Sequence, residues 1–332
     1  MNAQTTENEF VRAFRNSLDW LPHFDTLNPF VIFNPVRQIV YWRNTRIMNR
    51  YLMDIMDKRF ANRVKDPAVG SKKRAKPVID LALDSYTEED GQKQGKKVNR
   101  SFQEEALKHI RVFMFGGHDT SSSTACWTAY VLANHPECLR KFRHECDEVF
   151  GPDPSQGARQ IQDDPHLINR LPYTLALIKE TLRLWPAASS VRLGQRDFFI
   201  NYEGRQYPTE GTLTWPVAHA IHRNPKFWPR ANEFIPERWL AKEGDELFPV
   251  RGAWRAFEWG PRNCIGQELA IIELKIIMVL LWRTFTIETA YDEWDKMHGR
   301  VGKKTPEGER AYQVLIATAK PCDGMPVRVK RK

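Results

Sequence analysis

The stretch FEWGPRNCIG, residues 257–266, decides how the rest of this chain is interpreted. Its cysteine, Cys264, directly precedes an apolar helical pattern. This arrangement suits a thiolate presented to a metal, because the N–H groups and dipole at a helix start stabilise negative charge on sulfur. Gly260 allows a sharp turn, and Gly266 lets the helix and a ligand approach closely. Arg262 offers a fixed cation to a carboxylate on a ligand. A buried cysteine packed as a small hydrophobe is the alternative, and it does not account for the surrounding residues.

Composition narrows the classes of protein to consider. A chain of 332 residues, 42% of them hydrophobic, can bury a sizeable core. The five cysteines include no C-x-x-C pair, which excludes zinc-knuckle spacing, and their odd count fits a reducing compartment. The net charge of +9 comes from basic residues spread along the whole chain, so no nucleic-acid partner is expected. No signal peptide or membrane span is predicted, since the most apolar stretch, Ile271–Trp282, is too short to cross a bilayer.

Helical patterns dominate the chain and predict a mainly α fold with small β-sheets. A long helix is predicted from about Phe102 to Asn134, with Ser101 and Glu104 as its capping box. Two further helices are predicted from Pro136 to Gly151 and from Pro172 to Pro186. A last one starts near Gly266, and its predicted core face is Leu269, Ile272, Ile276, Val279 and Trp282. Strand-like pieces lie around residues 192–202, 211–215 and in the last twenty residues.

The N-terminal third gives weaker signals. Residues 1–60 are typical of helices rich in aromatic side chains, with breaks at prolines. Residues 62–100 are polar and charged and predict an exposed connection, within which Val78–Leu83 is expected to form a short helix.

The middle of the long helix contains unfavourable residues for a helix interior. Each of Gly116 and Gly117 costs up to ~1 kcal/mol against alanine. The hydroxyl side chains of residues 120–124 compete for backbone carbonyls. A ligand passing close to the backbone at the two glycines, beside Asp119 and Thr120, would explain these choices. The alternative is a kinked helix with solvent-facing hydroxyls.

Two of these motifs resemble those of the cytochromes P450. The F-x-x-G-x-R-x-C-x-G pattern is similar to the haem-binding loop of that family, and it is formed here by Phe257, Gly260, Arg262, Cys264 and Gly266. The resemblance implies that haem b is the cofactor and that Cys264 is the axial ligand of its iron. The stretch around Gly116 is similar to the family's oxygen-activation motif, [A/G]-G-x-[D/E]-T-[T/S]. That match implies that Gly117 lies over the haem, while Asp119 and Thr120 organise proton delivery to bound dioxygen.

Further positions carry the resemblance across residues 100–332. Glu180 and Arg183 are spaced i, i+3 and can pair on a helix. With the Pro-Glu-Arg segment that ends at Arg238, they resemble the family's structural signature, which implies a buried network supporting the cysteine loop. Arg192 occupies the place of an arginine that faces a haem propionate in many members. The resemblance gives His219 and His222 a structural role, although their spacing alone would also suit a metal pair.

A haem-thiolate monooxygenase is the function that the resemblance implies. It would insert one atom of O2 into an apolar organic substrate, with electrons from NADPH-cytochrome P450 reductase. The motifs and the tail from Thr318 look similar to those of filamentous-fungal members, many of which act in secondary-metabolite biosynthesis. Full-length members of this kind are expected at the cytosolic face of the endoplasmic reticulum membrane.

The chief departure is an N-terminal part that family members carry ahead of this region. The chain is therefore expected to be an N-terminally truncated, single partial domain over residues 1–332. Within it, 1–60 would be substrate-side helices and 101–332 the haem-binding core. Without the family's membrane anchor, it is expected to be soluble or peripheral. Two alternatives stay open: a catalytically inactive fragment with weak or no haem binding, and a basic module that binds acidic partners.

Overall fold

The computed structural model describes residues 8–20, 33–65, 78–89, 98–306, 308–316 and 318–332. Helices dominate these residues, so the predicted mainly α fold is confirmed. The helices are α1 (Glu9–Asp19), α2 (Pro35–Lys65), α3 (Val78–Glu89), α4 (Arg100–Asn134), α5 (Pro136–Phe150), α6 (Gly157–Asp163), α7 (Pro172–Leu184), α8 (Ala218–His222), α9 (Gln267–Trp282) and α10 (Tyr291–Met297). Short 3₁₀ turns occur at Pro154–Gln156, Pro165–Arg170, Pro236–Trp239 and Cys322–Gly324.

The strands form four separate antiparallel pairs: β1 with β4, β2 with β3, β5 with β8, and β6 with β7. In the longest pair, Phe285 lies opposite Arg331. Two strands, β3 and β5, lie outside the stretches that the sequence predicts as strand-like. The strands are β1 (Arg192–Leu193), β2 (Phe199–Tyr202), β3 (Arg205–Pro208), β4 (Leu213–Thr214), β5 (Phe285–Thr289), β6 (Gln313–Ile316), β7 (Thr318–Pro321) and β8 (Val327–Arg331).

The chain divides into two compact units, residues 1–116 and 117–332. The core of the first unit joins α1, α2 and the N-terminal half of α4, and its largest buried side chains include those of Phe10, Met56 and Leu107. Beside it, the fully buried Leu83 of α3 packs in a cluster with Phe60. The predicted exposed connection therefore contains a packed helix at Val78–Glu89, and residues 66–77 and 90–97 lie outside the described residues.

The start of α4 differs from the predicted capping box. The side-chain oxygen of Asn99 accepts the Ser101 backbone N–H at 2.9 Å, which makes Asn99 the N-cap. Ser101 lies inside the helix, and Glu104 forms an ion pair at 3.1 Å with Arg100 instead of returning to the cap. An asparagine two positions earlier competes successfully because its short amide reaches the N2 amide without distorting the chain.

The second unit is built around α5, α7 and α9 together with the C-terminal half of α4. Its buried side chains include Leu132, Phe142, Leu177 and Met278. Helix α7 has no side-chain cap from its own N-cap residue, and the carboxylate of Glu145 on α5 supplies one. It accepts the Thr174 N–H at 2.8 Å and the Thr174 hydroxyl at 2.6 Å.

The prediction of which side of α9 faces the core is wrong in part, because the helix is rotated about its axis relative to the prediction. Leu269 and Ile272 are exposed, whereas Ile271, Leu274 and Met278 are buried, together with the expected Val279 and Trp282. The helix is apolar over most of its circumference, so the hydrophobic pattern alone leaves its rotation undetermined.

Candidate haem site

The cysteine loop closes on itself just before α9. The Cys264 N–H donates to the Phe257 carbonyl at 2.8 Å, and Gly260 turns the chain with a φ of +85°. Helix α9 begins at Gln267, whose N–H donates to the Cys264 carbonyl at 3.3 Å. Cys264 is exposed, whereas the other four cysteines are buried or partly buried. A Cβ added at Gly266 would lie 3.8 Å from the Cys264 sulfur, which is an ordinary van der Waals contact.

Glu258 ties this loop to the segment that precedes β1. It adopts a φ of +62°, and its carboxylate accepts both the N–H and the hydroxyl of Ser190 at 3.2 Å. Arg255 donates to its other oxygen at 3.1 Å. Partial burial raises the pKa of Glu258, but the bonds from Ser190 and Arg255 outweigh it and leave the pKa below its usual value. Glu258 fills a variable position of the loop motif, so this role could not be predicted from the motif.

Two arginines present cationic groups beside the loop. Arg262 is exposed, and it has no ion pair or hydrogen bond within the part of the chain that the structure describes. The Arg192 side chain is 42% exposed and lies 4.0 Å from the Glu258 carboxylate. It also donates to the Ser190 hydroxyl at 2.5 Å. Exposed guanidinium groups of this kind can bind carboxylates in the bidentate manner.

The structure brings Glu180, Arg183 and Arg238 together in one buried network. The Glu180 carboxylate accepts two bonds from Arg183, at 2.9 and 2.8 Å, and one from Arg238 at 3.1 Å. All three side chains are fully buried. The ring of Trp228, also fully buried, lies 5.2 Å from the Arg183 guanidinium carbon and 5.7 Å from that of Arg238.

His222 connects that network with the segment leading to the loop. Its Nδ1 lies 2.9 Å from the Arg183 carbonyl, and its Nε2 accepts the Arg255 N–H at 2.8 Å. Burial lowers the pKa of His222 to about 4, which keeps the ring neutral near pH 7. The neutral ring therefore donates through Nδ1 and accepts through Nε2. This arrangement is structural, as the resemblance implied. His219, three residues earlier, is exposed.

A row of aromatic rings runs from the network to the loop. The ring of Trp239 is 5.3 Å from that of Trp254, which in turn is 5.8 Å from that of Phe257. Trp239 also donates its ring N–H to Glu180 at 3.0 Å. The Phe257 carbonyl is the acceptor for the Cys264 amide, so the rings and the buried charges brace the same loop.

In α4, the two glycines leave the helix backbone uncovered. A Cβ added at Gly116 or Gly117 would meet no atom within 4 Å. The helix continues through both residues. The alternative of solvent-facing hydroxyls does not hold for Ser121 and Ser123, which are buried. They donate to Glu273 at 2.9 Å and to the Ala319 carbonyl at 2.6 Å respectively. Thr120 is half-buried.

Asp119 is buried, and both of its carboxylate oxygens have partners on β7. Lys320 lies 2.7 Å from one oxygen, and the hydroxyl of Thr318 donates to the other. Only 3% of Asp119 is exposed, so without these partners its charge would be uncompensated in the interior. About two hundred residues separate the partners along the chain, which is why no local sequence pattern signalled Lys320 or Thr318.

Comparisons with known proteins agree with this architecture. The family model for cytochrome P450 matches residues 1–310, so the chain belongs to the cytochrome P450 family. It is 38% identical to the cytochrome P450 monooxygenase polC of Polytolypa hystricis, over 99% of this chain and 58% of that protein. It is 34% identical to the cytochrome P450 monooxygenase acrF of Aspergillus aculeatus, over 99% of this chain and 68% of that protein.

Solved structures show the same fold. The crystal structure of the cytochrome P450 CYP102L1 matches with a TM-score of 0.71 at 23% identity, over 99% of this chain and 66% of that one. The haem domain of cytochrome P450DA matches with a TM-score of 0.68 at 20% identity, over 98% and 62%. The chain thus spans roughly three fifths to two thirds of the length of these proteins.

The residues present fit the haem that is the cofactor of this family. The loop offers an exposed thiol, which is the donor that a haem-thiolate centre requires. The uncovered backbone at Gly117 leaves room for a flat ligand against α4. Arg192 and Arg262 supply half-exposed and exposed cations for propionates.

Among the described residues, no cluster of three or more His, Cys, Asp or Glu could hold another metal ion. No helix among these residues is long and apolar enough to cross a bilayer.

Proposed function

We propose that the chain acts as a haem-thiolate monooxygenase, which inserts one atom of O2 into an apolar organic substrate. The observation that carries this proposal is the exposed Cys264 at the end of a closed loop. Its backbone is held by the Phe257 carbonyl, and the residue is exposed. A cysteine kept only for packing would be buried, like Cys146 and Cys322.

Each residue of the site has a proposed task. The Cys264 sulfur would hold the haem iron, and Arg192 and Arg262 would bind the propionates. When bound, the haem supplies the redox chemistry, and thiolate ligation favours cleavage of the O–O bond. The uncovered backbone of Gly117 would admit the cofactor face. The buried Glu180 network would hold the cysteine loop in position when haem is bound.

The overall reaction consumes a substrate C–H bond, O2, two electrons and two protons, and yields a C–OH group and water. The proposed electron donor is NADPH-cytochrome P450 reductase. The protons would pass through Asp119 and the Thr120 hydroxyl on α4. The protein thus binds, orients and supplies protons, while the cofactor carries out the oxidation.

We place this activity in fungal secondary-metabolite biosynthesis. Support comes from two fungal relatives, the monooxygenases polC of Polytolypa hystricis and acrF of Aspergillus aculeatus, which align with 99% of this chain. The proposed location of the activity is the cytosolic face of the endoplasmic reticulum membrane. The alternative is an inactive chain that holds haem weakly or not at all.

The test uses haem-loaded protein with the reductase, NADPH, O2 and 7-ethoxycoumarin as an apolar probe. We expect NADPH-dependent 7-hydroxycoumarin from the natural chain. In Thr120→Ala we expect unchanged haem content and a peroxide-to-product ratio raised about 10-fold or more, because the hydroxyl no longer organises protons. Ser122→Ala is the matched control, since this exposed hydroxyl on the same helix only donates to the Asp119 carbonyl. Absence of NADPH-dependent product from the natural chain would contradict the proposal.

A further inference from the structure

Strand β7 holds the acid of the oxygen motif by both of its oxygens. Lys320 lies 2.7 Å from Oδ1 of Asp119, and the Thr318 hydroxyl donates to Oδ2. The two partners differ in their access to water: 27% of the Lys320 side chain is exposed, against 4% for that of Asp119. Lys320 is therefore in contact with both solvent and a carboxylate that is otherwise enclosed.

Burial makes this contact important for the charge of Asp119. A carboxylate removed from water favours its neutral form unless a cation or hydrogen-bond donors compensate it. Lys320 supplies the cation, and Thr318 supplies one donor. An ionised carboxylate offers about four acceptor positions, so two partners leave it able to accept a proton or a water molecule. Removing Lys320 would leave this buried group without a charged partner.

The backbone of β7 is fixed independently of this ion pair. The Ala319 carbonyl accepts the Ser123 hydroxyl at 2.6 Å, and the Ala319 N–H donates to the Ala187 carbonyl at 2.8 Å. The strand also pairs with β6. A change confined to the Lys320 side chain should therefore leave the strand in place and alter only the environment of Asp119.

We propose that Lys320 is a positioning residue for proton delivery, which holds the Asp119 carboxylate in place and connects it to solvent. This inference rests on the proposed function, because it takes Asp119 as the acid that passes protons to Thr120. A proton arriving from water at the exposed end of Lys320 is taken up by the Asp119 carboxylate when the ion pair opens. Lys320 keeps its own proton throughout, so no charge is created or lost at the lysine.

The activity test compares Lys320→Met and Lys320→Arg in the haem-loaded protein with the 7-ethoxycoumarin assay. We expect Lys320→Met to raise the peroxide-to-product ratio about 5-fold or more. It should also change the solvent deuterium isotope effect on product formation. Lys320→Arg should restore most of the coupling, because it keeps the cation. Lys330→Met, the matched control, removes an exposed lysine that pairs with Glu288. It should leave the ratio unchanged.

Epistasis separates this role from a purely structural one. If Lys320 acts through Asp119, Lys320→Met adds nothing to the peroxide-to-product ratio of Asp119→Asn. Equal effects of Lys320→Met in both backgrounds would overturn the proposal. A second cycle of the same variants measures the midpoint of urea unfolding in protein without haem. There we expect Lys320→Met to lower the midpoint less in Asp119→Asn than in the natural chain, and additive shifts would show that the pair does not form.

The outcomes distinguish this inference from the proposed function. A natural chain without NADPH-dependent product overturns both. If the natural chain forms product and Lys320→Met has the same coupling and isotope effect, only the role of Lys320 is overturned. Failure of Lys320→Arg to restore coupling would also overturn it, since the positive charge would then not be what the site requires.

Discussion

At the scale of single residues, the Glu180 carboxylate accepts five hydrogen bonds. They come from Arg183 twice, from Arg238, from the Ile235 N–H and from the Trp239 ring. This one negative charge compensates two guanidinium groups, both fully buried. Breaking a buried pair costs far more than breaking an exposed one, because it leaves uncompensated charge in the interior.

We expect Glu180→Gln to lower the free energy of unfolding by roughly 3–5 kcal/mol, since both buried arginines lose their counter-charge. Urea unfolding followed by circular dichroism measures it. Glu148→Gln, at a side chain that is 68% exposed, serves as the matched control and should change the value by less than about 0.5 kcal/mol. Similar losses in the two variants would contradict the buried network.

His222 makes stability depend on pH. Its folded pKa of about 4 lies below the ordinary value of 6.5, so the unfolded chain binds the proton more readily. The resulting stability is fully present above pH 6.5 and is lost as the pH falls toward 4. Protonation would also turn the Nε2 acceptor into a donor that faces the Arg255 N–H.

In His222→Gln, the free energy of unfolding should fall less steeply between pH 6.5 and 4 than in the natural chain. The difference between the two chains over this window should be about 3 kcal/mol. Unfolding curves at half-unit pH steps measure it. His144→Gln, at a side chain that is 76% exposed, should reproduce the slope of the natural chain. A His222→Gln slope equal to that of the natural chain would show that the ring does not titrate in this range.

The contacts of residues that belong to motifs could be predicted from the sequence, whereas contacts with residues outside the motifs could not. Glu180, Arg183 and Arg238 could be grouped because their types and spacing form a recognisable signature. Glu258 and Lys320 could not be predicted, because their contacts depend on segments far apart in the chain. A carboxylate or an ammonium group on the surface is the ordinary expectation for such residues.

At the scale of elements, the beginning of α4 shows how local competition decides a helix end. Both Asn99 and Ser101 are good N-cap residues, and the Ser101–Glu104 spacing fits a capping box. In the structure Asn99 accepts the second amide of the helix, so the helix starts earlier than predicted. The long helix itself could be predicted because Pro136 and the apolar pattern bound it.

This assignment leads to opposite expectations for two neighbouring alanine substitutions. Asn99→Ala should destabilise the first unit by about 1 kcal/mol, since an N-terminal amide loses its acceptor. Ser101→Ala should change the stability by less than about 0.5 kcal/mol, because this residue is exposed within the helix. Hydrogen exchange at the amides of residues 100–103 reports the effect locally. A larger loss of stability in Ser101→Ala than in Asn99→Ala would favour the Ser101–Glu104 capping box instead.

Helix α9 shows that a hydrophobic pattern can locate a helix without determining its rotation about its axis. Its start was predicted to within a residue by Gly266. Its rotation was not, because Leu269 and Ile272 are apolar and yet exposed. A strongly apolar helix has no polar face that would determine which side packs inward, so the elements packed around it, α7 among them, decide its rotation.

At the scale of the whole molecule, the fold class followed from the dominance of helical patterns, and the family followed from four short motifs. The extent of each packed unit could not be read from the sequence. The division lies between Gly116 and Gly117, inside a helix that continues through both residues. All of the candidate haem-site residues belong to the second unit, residues 117–332.

The most direct test of the central claim, that Cys264 binds haem iron through its thiolate, is the carbon monoxide difference spectrum of the reduced protein expressed with a haem supply. The natural chain should give a Soret band at the thiolate-ligated position. Cys264→Ser should lose that band, whereas Cys126→Ser, at a partly buried cysteine, should keep it. An identical spectrum for Cys264→Ser, or no haem band in the natural chain, would contradict the account.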